Sequence, residues 1–265
     1  MFYNELDHER LEQDQQLEER FEDSLAAGDF EVWYQPKYSA STGKIVGSEA
    51  LVRWRDTDGS LISPGRFIPL FEQNGMIAKL DEYMFRAVCR QQTKWLAKGQ
   101  KIYPVSINLS RASLYYVDIV EKYKTIIREY DIEPDFIQIE ITESALEGMS
   151  SIRELLEQFR NMGIRILMDD FGTGYSSLAT LNMQCFDTLK LDKSLIDHIG
   201  DKNGETLLCY VISMGQKLGL HITAEGVENN MQLEFLKENH CDDIQGFLFA
   251  KPMPPAEFEN VLAHS

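Results

Sequence analysis

The sequence predicts an α/β fold, and a closed barrel of the TIM type fits it best. Short apolar runs begin about every 20 to 35 residues, which is the repeat length of strand–helix units. Helical stretches lie between these runs, and two of them end at Gly163 and Gly219. The 265 residues of the chain also suit an eight-stranded barrel. An open, doubly wound sheet is the alternative, but the sequence contains neither a GxGxxG turn nor a P-loop motif.

The first element is a helix predicted within residues 1–24. This stretch is rich in acidic residues and has no Gly or Pro, and a helix would bring four apolar residues near one face: Leu11, Leu17, Phe21 and Leu25. We expect residues 1–24 to form an N-terminal helix or linker and residues 25–265 to form the barrel. The helix is the end of a linker from a preceding domain, a partner surface, or a solvated amphipathic helix.

The predicted strands follow in order along the chain. Residues 30–54 read as two strands around the turn Ser41-Thr42-Gly43-Lys44. Six apolar runs then predict the remaining strands, at 105–107, 137–141, 166–168, 188–191, 222–224 and from 244 onward. Strands that alternate with helices predict a parallel sheet.

The composition excludes several classes of function. A net charge of −17 and a pI near 4.7 predict that the chain repels nucleic-acid polymers and anionic membrane surfaces. An anionic ligand is compatible with this charge if a bound cation reverses it locally. The four cysteines lack zinc-ligand spacing, and the sequence has no signal peptide and no long uncharged apolar run. We therefore expect a cytoplasmic domain, whether or not the full-length protein is tethered to a membrane.

Polar residues end nearly every predicted strand, and most of them are acids or amides. They are Asn108, Glu140, Asp169 with Asp170, Lys190 and Glu225, while Glu49 lies on the hairpin and Gln245 on the last run. One such residue is usually a helix cap, but the carboxyl ends of barrel strands meet at one face, so these side chains form one ring. Crowded carboxylates without His or Cys predict Mg²⁺ or Mn²⁺, with Ca²⁺ as an alternative.

Two features of this ring point to phosphoester chemistry. Asp169 and Asp170 are adjacent, so that one carboxylate can bridge two metal ions while the other binds the second ion. Two ions about 3.5–4 Å apart are the usual arrangement for phosphoester hydrolysis. Lys190 has two readings: a salt bridge to Asp192 or Glu225, or a cation that orients the attacking water and stabilises the charge on phosphorus.

The residues EALVRW at 49–54 resemble the signature after which the EAL family of cyclic di-GMP phosphodiesterases is named. The family's other motifs occur in order between about residues 25 and 260: YQP at 34–36, SPGRFIP at 63–69, NLS at 108–110, EITE at 140–143, DDFGTGYSSL at 169–178, KLD at 190–192, AEGVE at 224–228 and QGFLFAKP at 245–252. The resemblance implies a modified TIM barrel whose first strand is antiparallel to the rest. One departure is Phe71, where the family usually has alanine. The N-terminal helix resembles the connector that follows a GGDEF cyclase-like domain.

The resemblance also implies roles for individual residues. The implied metal ligands are Glu49, Asn108, Glu140 and Asp169, with Asp170 for a second ion. Glu225 resembles a general base or a water-mediated ligand of that ion, and Lys190 a contact of the nucleophilic water; with Glu49 and Asp169 these form the catalytic set. The implied substrate contacts and their supporting residues are Gln35, Leu51, Arg53, Asn108, Lys190, Asp192, Glu228 and Gln245. Glu143 resembles the residue that anchors the loop after Asp170 and links metal binding to dimerisation.

The implied activity is hydrolysis of one phosphodiester of cyclic di-GMP to linear pGpG, with Mg²⁺ or Mn²⁺ as cofactor and Ca²⁺ as an inhibitor. A homodimer is the implied assembly. Two alternatives stay open: a catalytically silent receptor for cyclic di-GMP, and an unrelated Mg²⁺-dependent barrel enzyme in which the lysine abstracts a carbon-bound proton. The presence of every catalytic residue favours the phosphodiesterase.

Overall fold

The computed structural model of the chain describes residues 5–146, 152–173, 181 and 185–264. Within these ranges, eight strands form a closed barrel, and one short strand, β3, pairs with β2 outside the ring. The strands are β1 Phe30–Ser39, β2 Ile45–Arg55, β3 Leu61–Ile62, β4 Val105–Asn108, β5 Ile137–Thr142, β6 Arg165–Phe171, β7 Thr188–Leu191, β8 His221–Ala224 and β9 Asp243–Ile244.

The direction of β1 distinguishes this barrel from one made of parallel strands alone. β1 closes the ring between β2 and β9 and is antiparallel to both of them. The other neighbours in the ring, from β2 and β4 round to β8 and β9, are parallel. The predicted barrel with an inverted first strand is therefore confirmed, and the open sheet is wrong.

Helices cover the outside of the barrel. Those described are α1 Glu5–Ala27, α2 Pro64–Asn74, α3 Ile77–Ala97, α4 Arg111–Leu114, α5 Ile119–Tyr130, α6 Glu143–Leu146, α7 Ile152–Asn161, α8 Lys193–Ile196, α9 Lys202–Lys217, α10 Asn230–Glu238 and α11 Pro255–Ala263. The helix predicted after residue 151 is α7, which buries Ile152, Leu156 and Phe159. Among the helices described, none combines the length and the apolar character that a membrane span requires.

Side chains of β1 alternate between the helix layer and the barrel interior, as the geometry of a strand requires. Tyr34 faces outward, where its ring stacks on Phe258 at 5.3 Å between centroids and meets Trp95 edge-on at 5.0 Å. Gln35 and Lys37 face inward, where Lys37 forms a hydrogen bond with Ser106 of β4 and Gln35 with Gln245 just after β9. The inverted strand thus brings polar groups into the same interior as the parallel strands.

The N-terminal helix α1 packs on the barrel with its second half. Phe21 is fully buried, and its ring lies 4.7 Å from Phe71 and 5.8 Å from Phe30 between centroids. Leu17 is also buried, whereas Leu11 is 60% exposed. Phe71, the residue that departs from the family pattern, thus contacts α1. The division of the chain at residue 24 stays a prediction, and α1 continues past it to Ala27.

If α1 folds as part of the barrel, Phe21→Ala should destabilise the whole domain. Loss of a fully buried phenylalanine costs about 3–5 kcal/mol in the free energy of unfolding. The exposed Leu11→Ala change on the same helix should stay within about 0.5 kcal/mol. Urea unfolding followed by circular dichroism measures both, and equal effects of the two substitutions would show that α1 is not part of the folded unit.

Candidate metal and catalytic site

A buried lysine lies at the centre of the site. Lys190 lies near the end of β7, and its side chain points into the barrel. The distances from its Nζ are 2.5 Å to Glu225 Oε1, 2.6 Å to Glu140 Oε2, 2.8 Å to Asp169 Oδ1 and 3.7 Å to Glu49 Oε2. These acids come from four other strands or strand ends, and the closed barrel makes them neighbours. Of the two readings of Lys190, an ion pair with Glu225 is present, together with three partners that the local sequence did not indicate.

The charges of Lys190 and Glu140 follow from this arrangement. Burial alone lowers the pKa of a lysine, but Asp169, Glu140 and Glu225 raise the pKa of Lys190 well above its ordinary value. Burial favours the neutral form of Glu140, but Lys190 and Lys37 outweigh it and lower the pKa of Glu140 to about 2. The centre of the site is therefore an ammonium–carboxylate pair.

The pKa values of the remaining carboxylates in the cluster are raised. These carboxylates are Glu49, Asp169, Asp170 and Glu225. Burial is the largest cause of each raised pKa, neighbouring carboxylates raise it further, and the charge of Lys190 opposes the shift. Together with Glu140, five carboxylates thus face two buried ammonium groups, those of Lys190 and Lys37. The site has more negative charge than its own cations offset.

A β-bulge explains how two adjacent aspartates serve one site. A regular strand would point Asp169 and Asp170 to opposite faces. The pairing of β6 with β7 shifts register between Met168 and Phe171, and Asp170 adopts a φ of 56°, in the left-handed region. The backbone N–H of Asp170 donates to Asp169 Oδ1 at 2.9 Å. Both carboxylates therefore reach the same space.

The donor set fits a divalent cation. One oxygen each from Asp169, Asp170 and Glu225 lie within 4.8 Å of one another. Glu225 Oε1 is buried and contacts Lys190, but it has no well-directed hydrogen bond. Carboxylate oxygens with no His or Cys among them suit Mg²⁺, Mn²⁺ or Ca²⁺. A cation here offsets the repulsion that raises the pKa values of these groups.

Amide side chains hold Glu49 from the other side. Asn108 Nδ2 donates to Glu49 Oε1 at 3.0 Å, and Gln245 Nε2 donates to Glu49 Oε2 at 2.7 Å. Gln245 also donates to Gln35 Oε1 at 3.0 Å, which links β1 to the loop after β9. The structure therefore brings Gln35, Asn108 and Gln245 into the predicted ring.

Leu51 and Arg53 lie further up β2, opposite Trp33 and Glu31 of β1. The guanidinium carbon of Arg53 lies 5.6 Å from the centre of the Trp33 ring, and its Nη1 donates to the carbonyl oxygen of Val52. Burial lowers the pKa of Arg53, and Glu49 opposes this shift. Arg53 is therefore a cation at the edge of the acidic cluster.

Two predicted site residues, Asp192 and Glu228, make their described contacts outside the cluster, and Glu143 lies at the start of a helix. Asp192 caps α8, where its Oδ1 accepts a hydrogen bond from the backbone N–H of Ser194 at 2.8 Å. Burial is the main cause that raises the pKa of Asp170, and the negative charge of Asp192 adds to this shift. Glu228 is exposed and pairs with Lys193 at 3.1 Å. Glu143 begins α6. Residues 174–178 of the DDFGTGYSSL motif lie outside the described residues, so the coupling role of Glu143 stays a prediction.

Sequence reasoning missed Lys37 and Ser106. Lys37 Nζ donates to Glu140 Oε1 at 2.8 Å and to Ser106 Oγ at 2.7 Å, and its side chain is 5% exposed. A signal was present, because Lys37 stands two residues after Gln35 in a strand of otherwise largely apolar and aromatic residues. The alternation of a strand places these two residues on one face.

A cavity of about 610 Å³ adjoins the site. Asn108 and Glu140 form part of its wall, and the rest is largely apolar, with Ile68, Leu80 and Tyr115 among the lining residues. A volume in the range of about 300–1,000 Å³ is typical of small-molecule sites. The cavity therefore offers room for a ligand beside the acidic cluster.

Asp81 of α3 is a buried acid in the wall of this cavity. Its Oδ2 accepts hydrogen bonds from the backbone N–H of Ser110 at 3.0 Å and from the hydroxyls of Ser110 and Ser113, each at 2.6 Å. Burial outweighs these bonds and raises the pKa of Asp81 to about 6. The sequence had not drawn attention to this residue.

The fold and the site define an α/β barrel with a cluster of acids at the carboxyl ends of its strands. Residues 18–252 match the EAL domain family, and the chain belongs to that family. The membership that the motifs predicted is thereby confirmed.

Relatives and solved structures agree with this membership. The chain is 38% identical over 255 residues to "Cyclic di-GMP phosphodiesterase NbdA" of Pseudomonas aeruginosa, covering 96% of this chain and 33% of that protein. It is 37% identical over 239 residues to "Probable cyclic di-GMP phosphodiesterase PdeB" of Escherichia coli, covering 90% and 46%. The solved structure "PaMucR Phosphodiesterase, c-di-GMP complex" superposes with a TM-score of 0.86 at 35% identity, covering 92% and 99%. The chain thus spans less than half the length of these two curated relatives.

The raised pKa of Asp81 predicts a pH-dependent effect of Asp81→Asn. An acid whose folded pKa lies above its unfolded value of about 3.9 favours the folded state while it is protonated, and this contribution is lost as pH rises through about 6. Asp81→Asn should therefore gain stability relative to the parent chain by about 1–2 kcal/mol between pH 5.0 and 7.5. Urea unfolding at both pH values measures this difference.

The exposed Asp118→Asn change is the control for Asp81→Asn, because it makes the same chemical change outside the core. A stability difference for Asp81→Asn that does not change with pH would contradict the assigned shift.

Proposed function

We propose that this chain hydrolyses one phosphodiester of cyclic di-GMP to the linear dinucleotide pGpG, with Mg²⁺ or Mn²⁺ as cofactor. The observation that carries the proposal is the cluster in which Lys190 joins Glu49, Glu140, Asp169 and Glu225 at the carboxyl ends of the strands. The names of NbdA and PdeB and the cyclic di-GMP complex of PaMucR support the choice of substrate.

The proposed metal ligands are Glu49, Asn108, Glu140 and Asp169 for one ion and Asp170 for a second, which Glu225 contacts through a water molecule. When bound, the ions supply positive charge that attracts the phosphate and makes a water molecule more acidic. Mg²⁺ or Mn²⁺ is the proposed activating ion, and Ca²⁺ is proposed to bind without supporting turnover. The excess of carboxylates over ammonium groups supports this demand for cations.

The side chains of this chain perform the remaining steps in the proposal. Glu225 accepts the proton of the attacking water, and burial, which raises its pKa, makes its carboxylate a stronger base. Lys190 stays protonated and stabilises the negative charge that develops on the phosphate oxygens. The bond between phosphorus and the ribose 3′ oxygen then breaks, the 3′ oxygen takes up a proton from solvent water and leaves as a hydroxyl, and the phosphate stays on the 5′ oxygen of pGpG.

Substrate positioning is assigned to residues around the cluster. Arg53 is proposed to pair with a phosphate, and Leu51, Gln35 and Gln245 to contact the rest of the dinucleotide beside it. The cavity next to Asn108 is where we propose that one half of the substrate lies, since its apolar wall suits a nucleobase. Asp192 and Glu228 are proposed to support this site from its rim.

The homodimer is also a proposal. Tyr115, Tyr116 and Val117 form an exposed apolar stretch in the loop after α4, and Val117 is 94% exposed. Such a stretch is suited to a protein contact. The coupling role of Glu143 and a cytoplasmic location belong to the same proposal.

The activity is tested by chromatography of cyclic di-GMP after incubation with the protein and Mn²⁺ or Mg²⁺. The parent chain should form one molecule of pGpG for each molecule of cyclic di-GMP that it consumes. Glu49→Gln should lower kcat/KM by at least about 10³-fold, because it removes a charged ligand that three neighbours hold in place. Glu238→Gln is the matched control on the exposed end of α10 and should leave the rate unchanged. Turnover by Glu49→Gln at the parent rate would contradict the assignment.

The receptor alternative predicts a different result for Glu225→Gln. If Glu225 is the general base, this variant should lose about 10²–10⁴-fold in kcat while its affinity for cyclic di-GMP in Ca²⁺ changes little. Isothermal titration calorimetry measures the affinity and the chromatographic assay measures kcat. Tight binding by the parent chain without any turnover would support the receptor, and absence of binding would contradict both readings.

A further inference from the structure

We propose that Lys37 is a positioning residue that fixes the carboxylate of Glu140 among the metal ligands. This inference rests on the proposed function, in which Glu140 binds the metal ion. Lys37 and Lys190 are the two buried basic side chains in the part of the chain that the structure describes. They hold opposite oxygens of one carboxylate, because Lys37 donates to Glu140 Oε1 at 2.8 Å and Lys190 to Glu140 Oε2 at 2.6 Å.

The inverted strand places Lys37 beneath the ring of carboxylates. Lys37 pairs in register with Gly47 on β2, two residues before Glu49 and so further from the carboxyl ends of the parallel strands. Its Nζ also donates to Ser106 Oγ at 2.7 Å, and that hydroxyl donates to the carbonyl oxygen of Ser48 at 3.3 Å. Lys37 therefore reaches Glu140 from the floor of the site and is held there by β4 and β2.

The two lysines differ in how many acids they serve. Lys190 distributes its three donors among four carboxylates. Lys37 has one carboxylate partner within the described ranges, and this partner is Glu140. Glu140 thus keeps one fixed donor regardless of which acids Lys190 contacts.

Two effects of opposite sign follow from removal of the Lys37 charge. Loss of a positive charge near the ligands would, by Coulomb attraction alone, strengthen cation binding. Loss of the donor leaves Glu140 Oε1 buried without a partner, so that the carboxylate turns away or loses its charge. Glu140 is fully buried, and an unpaired buried carboxylate oxygen is costly, so we expect the second effect to win.

The test is the affinity for Mn²⁺ without substrate, measured by electron paramagnetic resonance of the unbound ion. Lys37→Met keeps most of the length of the side chain and removes its charge, and it should weaken Mn²⁺ binding at least about tenfold. Lys44→Met makes the same chemical change in the exposed turn between β1 and β2 and should leave the affinity unchanged. Unchanged or tighter binding by Lys37→Met would overturn the inference.

A second measurement separates positioning of Glu140 from a general role in folding. In the metal-free protein, Lys37→Met should lower the urea midpoint of the parent chain but have less than half that effect in a Glu140→Gln background. The same reasoning applies if Lys37→Met alone does not fold, because the double variant should then fold. An equal effect in both backgrounds, or a double variant that stays unfolded, would overturn the inference.

These results are distinguishable from failure of the proposed function. If the parent chain binds no Mn²⁺, the metal site of the proposed function is wrong, and the urea experiment still decides whether Lys37 acts through Glu140. If the parent chain binds Mn²⁺ and Lys37→Met binds it equally well, the inference about Lys37 alone fails.

Discussion

The burial of Lys190 among several carboxylates is the constraint on which the rest of the structure depends. Removing one charged group from water costs several kcal/mol. The attraction between opposite charges offsets this cost only where they are in close contact and form further hydrogen bonds. The site meets the condition for Glu140, which has an ammonium group on each oxygen. It does not meet it for Glu49, Asp169, Asp170 and Glu225, whose pKa values are raised. Within the cluster, these four acids with raised pKa values are groups that the proposed metal ions or their bound water would contact.

A closed ring of strands is what keeps these charges together. Glu49, Glu140, Asp169 and Lys190 are far apart in sequence and belong to four strands, and hydrogen bonding round the barrel fixes their relative heights. The apolar and aromatic residues on the outward faces, such as Tyr34 against Trp95 and Phe258, bind the helices to the ring. The core thus acts on the chemistry indirectly, because it prevents mutually repelling acids from moving apart.

The short apolar runs and the polar residues that end them are local features, and they were enough to predict the barrel and its ring of acids. The inverted strand was predicted only by the resemblance to the EAL family. The remaining features depend on contacts between distant parts of the chain. Lys37 joined the site only because β1 runs opposite to its neighbours and pairs with β2 in a particular register. The bulge at Asp170 and the buried Asp81 likewise depend on a neighbouring strand or helix. Asp192 shows the reverse case, since a motif residue makes its described hydrogen bond as a local helix cap.

The reversal of β1 also decides where the amino end of the domain meets the barrel. Phe30, which starts β1, pairs with Trp54 near the end of β2, so the chain enters the barrel from the end that carries the acids. Helix α1 rests there, with Arg20 paired to Asp56 at 3.0 Å and its guanidinium 5.5 Å from the centre of the Trp54 ring. In a barrel of parallel strands alone, the chain would enter at the opposite end. The second half of α1 is therefore held against the end of β2, the strand that also carries Glu49 and Arg53.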